Sequence, residues 1–340
     1  MKSKKKIKIK EKTYLLNDDY NNLKKERKNN GKCLKYFFII IYICTFIFYI
    51  YNLIFPKIKK NPKPEPNKKF YFDKYEVNVY DLIKNKLRQE CTDMWVNQRE
   101  FLNGVIRKFK PKKIVEVGCG LGGSSIVMLN AIDDFKDSKL YSIDLDLGDQ
   151  VGQCVHKDFP NLLKKWTLFK GKIATEYIEQ IGNNIDLAFF DTSHVEPGEI
   201  LDFLMVLPFL KENAVVIFHD IAIQITQSQD RSEWSPYIIF NGIRGEKFLP
   251  SGNYILKQDI GAIILECNQK KYYKEYFRLL GGQWYYFPKE EHIDQLRTFF
   301  KKYYEKDCKD CLLIFEEAVA FNREFVKRNP KPKRYDFYSD

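Results

Sequence analysis

Residues 113 to 125 read Lys-Lys-Ile-Val-Glu-Val-Gly-Cys-Gly-Leu-Gly-Gly-Ser, an apolar run that breaks into glycines. The reading is a strand, a sharp turn and then a helix over Ser124 to Ile132. Glycine suits such a turn because no Cβ blocks a left-handed backbone or the close approach of a ligand. The helix start behind it offers N–H groups that have no partner within the helix. Glu116, Gly118, Gly120 and Gly122 spell E-x-G-x-G-x-G. The same letters also give G-x-G-x-x-G, as Gly118, Gly120 and Gly123, with Asp144 about twenty residues on, as a dinucleotide site would have it. Glu116 weighs against that reading, because a carboxylate repels a pyrophosphate and attracts an ammonium group.

Downstream, strand-like and helix-like runs alternate, which argues for an α/β fold with a doubly wound, mostly parallel sheet of Rossmann type. Leu140–Asp144, Trp166–Gly171, Ile185–Asp191 and Ala214–Asp220 read as the next strands, with helices over 175–181 and 199–210. Ligands of open α/β sheets bind at the carboxyl ends of the strands. Glu116, Asp144, Asp191, His219 and Asp220 all fall at such ends. A single aspartate there is more often a cap or turn former. Its recurrence at strand after strand marks a site.

The glycine stretch resembles motif I of the class I S-adenosylmethionine (SAM) methyltransferases. Asp191-Thr-Ser-His194, then Asp202, then Phe-His-Asp at 218–220 is similar to the branch holding sugar and antibiotic O-methyltransferases and cephalosporin-hydroxylase-like proteins, the methyltransferase family 24 type. That pattern runs D-G-x-H-x-Y; this chain has Thr192 for the glycine and Glu196 for the tyrosine. The likeness covers roughly residues 95 to 265. It implies SAM as cofactor, held by Glu116, Gly118, Gly120, Gly122, Asp144 and Asp191, with Asp144 on the ribose diol. It implies transfer to oxygen, with a saccharide or glycoconjugate as acceptor. His194 is the expected base, its ring oriented by Asp191, with His219 as the second choice. Asp191 and Asp220 stand where relatives bind a divalent cation such as Mg, which would orient a diol. The usual Asp-Asp pair is His219-Asp220 here, which leaves the metal open. Two other classes compete: an NAD-dependent oxidoreductase, and an inactive tethered interaction module.

The segment from Ile221 to Asn253 reads as an insertion at the active rim, where loops carry specificity. Trp234 and Tyr237 would suit sugar rings, and Arg231 and Arg244 acidic groups, or the aromatics would simply pack the loop. Residues 268–330 read as a helical extension that caps the sheet, lines the acceptor cleft or offers a face to a second copy. Residues 331–340 form a tail.

Tyr36 to Pro56 is a 21-residue run without charge. At 1.5 Å per residue it reaches about 30 Å, enough for a transmembrane helix. The expected location is therefore a single-pass membrane protein, with the side of the catalytic domain open. Residues 1–35 form a basic tail and 57–69 a Pro/Lys linker, leaving 70–267 for the methyltransferase-like domain. Residues 1–69 hold 19 basic and 5 acidic groups out of 57 and 45 overall, so the remainder holds 38 and 40. The net charge of +12 thus belongs to the tail and linker, and nucleic acid is not an expected partner. The 8 cysteines are scattered and read as ordinary thiols, with Cys308 and Cys311 close enough for one local disulfide.

Overall fold

The computed structural model describes residues 79–223, 234–250 and 258–329. Its centre is a seven-stranded sheet in the order β3-β2-β1-β4-β5-β7-β6. The strands are β1 (Lys113–Val117), β2 (Lys139–Asp144), β3 (Trp166–Lys170), β4 (Ile185–Phe190), β5 (Leu210–His219), β6 (Gly245–Phe248) and β7 (Ile260–Leu265). The first five are parallel, and β7 runs antiparallel between β5 and β6.

Strand order reverses at β1, which pairs with β2 on one side and β4 on the other. The chain leaves β1 toward β2 and β3, then crosses over to β4. Connections therefore diverge at the carboxyl ends of β1 and β4, and a crevice opens there. Val117 O accepts from the Asp191 N–H at 3.0 Å and Ile143 O from the Gly118 N–H at 2.9 Å, so the ladder reaches the lip of that crevice.

Helices cover both faces. On one, α1 (Val96–Phe109) packs on α2 (Gly123–Ala131). Phe101, Leu102, Val105 and Ile106 sit on one side of α1 and are fully buried, the spacing of an amphipathic helix. Its start is set by Gln98, whose side chain accepts from the Trp95 N–H, and its end by Lys110 in a left-handed conformation before Pro111. All nine residues of α2 are buried, its serines included, so it is enclosed all round rather than amphipathic. Short α3 (Gln153–Asp158) packs beside it.

On the other face lie α4 (Ala174–Ile181), α5 (Gly198–Val206), α6 (Ser235–Gly242), α7 (Tyr273–Arg278), α8 (Glu290–Tyr304) and α9 (Lys309–Arg328). The helices that follow the sheet are fixed to it by buried aromatics and polar ties. Tyr304 donates to Leu204 O at 2.6 Å, Gln295 to Glu176 at 3.2 Å, and Asn322 accepts from the Trp284 N–H at 2.7 Å.

Several expectations change. The stretch read as an insertion contains α6 and β6, and β6 is an edge strand paired with β7. A second disulfide is present: Cys91 is joined to Cys154, 63 residues apart, as well as Cys308 to Cys311. Spacing alone could not show the first, because the fold brings its partners together. Among the described residues no helix is long and apolar enough to cross a membrane, which overturns the expected single-pass membrane location. Residues 36–56, on which that expectation rested, lie outside the described residues, as do the basic tail, the linker and residues 331–340.

Candidate functional site

The glycine loop takes its shape from left-handed backbone. Gly118 has φ of 87°, and a Cβ there would lie 1.8 Å from the Asp191 carbonyl oxygen, so β1 and β4 can only converge around a glycine. Gly120 has φ of 50°, with open space where a Cβ would go. Asp144, at the end of β2, ties the loop down. One carboxylate oxygen accepts from the Cys119 and Gly120 N–H groups, each at 2.9 Å, and the other from Asp146 N–H at 2.9 Å.

Glu116 departs from expectation. It is fully buried, absent from the walls of both cavities described below, and surrounded by hydroxyls: Ser124 and Ser125 donate to it at 2.6 Å, and Ser142 donates as well. Burial pushes its carboxyl up to about 7, with the serines pulling the other way. Its place in the structure is to pin the base of the loop to α2 and β2.

Two cavities share the loop. The first, about 300 Å³, runs from Gly118, Gly120 and Asp144 past Ile173 and Ala174 to Leu201, Asp202 and Met205 of α5. Its far wall is Tyr286, Pro288, His292 and Leu296, from the C-terminal extension. The second, about 330 Å³, is more polar and lies across the loop. It is lined by residues 90–94, Ser124, His194, His219 and Asp220. Gly118, Gly120, Asp191 and Thr192 belong to both.

The charged groups of the second cavity pair differently from expectation. Asp191 faces His219, Oδ1 to Nδ1 at 3.2 Å, and is 3.8 Å from His194 Nε2. His194 is held instead by Glu199, 3.3 Å from Nδ1, and Asp220, 3.2 Å from Nε2. Both His194 and Asp220 have left-handed backbones, with φ of 62° and 54°. Non-glycine residues hold that conformation at a cost and need fixing. Glu199 does this for His194 by also accepting its backbone N–H at 2.7 Å. Asp259 lies behind, accepting from the Ala222 N–H.

Burial opposes charge on His194, but the hydrogen bond with Glu199 and the charges of Asp220, Glu199 and Asp191 outweigh it and raise the ring to about 10. Burial also opposes charge on His219, and Asp191 and Asp220 raise it to about 9. Desolvation works against Asp191 too, yet the two rings hold its carboxyl below its ordinary value. The ligand atoms of Asp191, His219 and Asp220 lie within 4.8 Å of one another, close enough to share an ion. The structure thus adds His219 to the two expected metal candidates.

Of the sequence candidates, Gly118, Gly120, Asp144 and Asp191 line the first cavity, and Asp191, His194, His219 and Asp220 line the second. Glu116 and Gly122 line neither. Arg244 is away from the cleft, paired with Glu275 of α7 at 3.1 Å. Trp234 and Tyr237 pack edge to face, ring centres 5.5 Å apart, at the start of α6, where Ser235 N–H reaches His194 O at 3.2 Å. Arg231 lies outside the described residues. Glu199 and residues 90–94 escaped the sequence reading; the extension, expected to cap the sheet, line the acceptor cleft or meet a second copy, walls the first cavity. An acid five residues after His194, in the first turn of a helix, was the one local signal.

The family model for a methyltransferase domain (family 24) matches residues 115–221. That stretch, from β1 to the end of β5, matches a methyltransferase domain. That match ends before β6, β7 and the extension. Solved structures similar to the chain include a putative O-methyltransferase from Klebsiella pneumoniae, 18% identical, covering 56% of this chain and 90% of that one, TM-score 0.43. The O-methyltransferase TomG of Streptomyces achromogenes, involved in tomaymycin synthesis and solved with SAM, is 15% identical over 57% and 90%, TM-score 0.40. An O-methyltransferase from Bacillus cereus, solved with SAH, is 15% identical over 56% and 91%, TM-score 0.41. No curated protein matches the chain.

Proposed function

We propose that the methyltransferase moves the methyl group of SAM onto a hydroxyl oxygen of a saccharide or glycoconjugate. One observation carries the reading: an apolar-walled cavity and a charged cavity meet at Gly118, Gly120, Asp191 and Thr192. A donor nucleoside in the first, with its ribose diol toward Asp144, directs its sulfonium across the loop into the second. The hydroxyl oxygen attacks the methyl carbon in line with the departing sulfur. A carbon–oxygen bond forms as the carbon–sulfur bond breaks, the sulfonium becomes a neutral thioether, and the hydroxyl proton leaves. Positioning across one shared wall supplies much of the rate.

His194 takes that proton. Both rings line the charged cavity, but the His194 side chain is 23% exposed there and that of His219 only 5%. Raised to about 10, His194 rests as an imidazolium and must shed its proton first. A cationic donor beside Asp191 favours that loss by opposing a second positive charge nearby. Asp220 and Glu199 then hold the ring in place. His219 stays paired with Asp191 and positions that carboxylate for the sulfonium. Asp191, His219 and Asp220 could also hold a divalent cation, the oxygens more readily than the ring, and such an ion would lower the pKa of an acceptor hydroxyl.

A saccharide fits the second cavity better than an anionic acceptor does. Its wall carries Glu90, Asp93, Asp191 and Asp220, which accept from hydroxyls and repel negative charge. Trp234 and Tyr237 stand beside His194, and Trp95, 63% exposed, follows wall residue Met94. Aromatic faces suit the apolar faces of sugar rings. We assign the domain to residues 70–267, with 268–330 as an extension that completes its donor cavity.

The test is calorimetry of the full chain with SAM and with NAD, followed by transfer of labelled methyl from SAM to a panel of oligosaccharides. SAM binding without NAD binding, and label on sugar oxygen, is the expected result. Tight NAD binding with no uptake of SAM would overturn the donor; label confined to non-sugar acceptors would overturn the acceptor.

A further inference from the structure

The two disulfides lie in unlike surroundings. Cys91 and Cys154 are both buried, at 3% and 2% exposure, and their bond joins residues 63 apart. Cys308 and Cys311 are 3 apart, the first partly exposed and the second fully buried. A thiolate arriving from solvent therefore meets Cys308 and not Cys311. Neither of this pair lines the donor or the acceptor cavity, so methyl transfer leaves the C-x-x-C unexplained.

Its place on α9 supplies a chemistry. Cys308 stands just before the first turn of this 20-residue helix, its side chain makes no capping hydrogen bond, and Cys311 lies within that turn. The N–H groups and positive end of a helix favour a sulfur that carries negative charge there. Asp307 and Asp310 would oppose that charge, but Lys270 is 2.8 Å from Asp307 and Lys274 is paired with Asp310. Lys309, next to Cys308, has no ion pair among the described residues. Opening so small a ring also costs the fold little, because the stabilisation from a cross-link grows with the loop it closes.

We infer that Cys308 and Cys311 form a redox-active dithiol–disulfide couple, a second centre that exchanges with external thiols apart from methyl transfer. An external thiolate attacks Cys308 Sγ. The bond to Cys311 breaks, and Cys311 leaves with the electron pair and takes up a proton. A second external thiolate attacks the outer sulfur of the mixed disulfide and releases Cys308 as a thiolate at the helix end. Two external thiols become one disulfide, and the chain gains two electrons and, once Cys308 is protonated, two protons.

The experiment incubates the oxidised full-length chain with glutathione, alkylates free thiols at intervals and locates them by peptide mass spectrometry. The Cys308–Cys311 bond opens at least about tenfold faster than Cys91–Cys154, which local unfolding must first expose. The glutathione adduct forms on Cys308, and glutathione disulfide closes the bond again. With glutathione disulfide, Cys311→Ser accumulates the adduct on Cys308, because the resolving thiol is gone, whereas Cys308→Ser leaves Cys311 unmodified. Should a variant not fold, the order of opening and the position of the adduct in the wild type decide. Equal opening of the two bonds, an adduct on Cys311, or a bond that does not close again would overturn the inference and leave the methyl-transfer reading untouched.

Discussion

The two cavities either side of the glycine loop are built by opposite means. The one that runs toward α5 and α8 is walled by apolar side chains drawn from distant parts of the chain, with single polar groups at chosen places. The one that holds His194 and His219 is a charge cluster in which carboxylates and rings fix one another, two of them on left-handed backbone. Shape selects in the first and electrostatics acts in the second. Damage should therefore show as lost donor affinity on one side and lost turnover on the other, except at the wall they share.

Gly118→Ala attacks that wall and should have the largest effect. Its Cβ collides with the Asp191 carbonyl, so activity falls below detection and donor uptake is lost with it. A calorimetric titration checks this, and normal donor binding would show that the strands need not converge there. Gly120→Ala meets open space and pays only for its φ, a milder loss than the sequence alone suggests.

His194→Ala touches the charged side alone. Turnover should drop by about 10²- to 10⁴-fold, the usual share of a general base, while the donor's Kd stays nearly constant. An unchanged rate with saturating acceptor removes His194 as the base.

Cys91→Ser releases residues 90–94 from α3. A 63-residue separation predicts a loss of about 4 kcal/mol in unfolding free energy, read from a denaturant midpoint, together with a raised KM for the acceptor. The Cys308–Cys311 link, 3 residues apart, should be worth about half as much and leave KM alone. Equal effects on KM would break the distinction between a disulfide that walls a cavity and one that only closes a turn.

Glu116 sits beneath both sides. Its folded pKa of about 7 exceeds its ordinary value of 4.5, so between those values the folded chain keeps a proton that the unfolded chain gives up. Stability contributed by Glu116 is complete below pH 4.5 and falls as pH rises to about 7. Glu116→Gln should flatten this slope, by about 3 kcal/mol across the window. An unaltered stability profile would mean that the serine hydroxyls keep the carboxylate ionised throughout.

The contrast also explains what could be read in advance. The parallel sheet, the glycine turn and the acids at the strand ends are local patterns: an apolar run followed by Gly118 or Asp144 announces itself within a few residues. The pairing within the charged cluster was not legible. Asp191 lies three residues from His194, which suggested a partnership, yet the end of β5 brings His219 closer and α5 brings Glu199. Glu116 misled for a related reason, since its neighbours Ser125 and Ser142 come from two different elements. Cys91, Tyr286 and Leu296 reach the site only through tertiary contacts, and nothing in their own surroundings assigns them a role there.

Glu196 and Tyr285 are joined main chain to main chain, two residues from His194 on one side and one residue from Tyr286 on the other. Cutting the gene to residues 115–221, the stretch that matches the methyltransferase domain, would sever that seam. The shortest fragment worth expressing starts ahead of Cys91 and continues through α9; anything briefer would produce a sheet with the His194 loop unmoored.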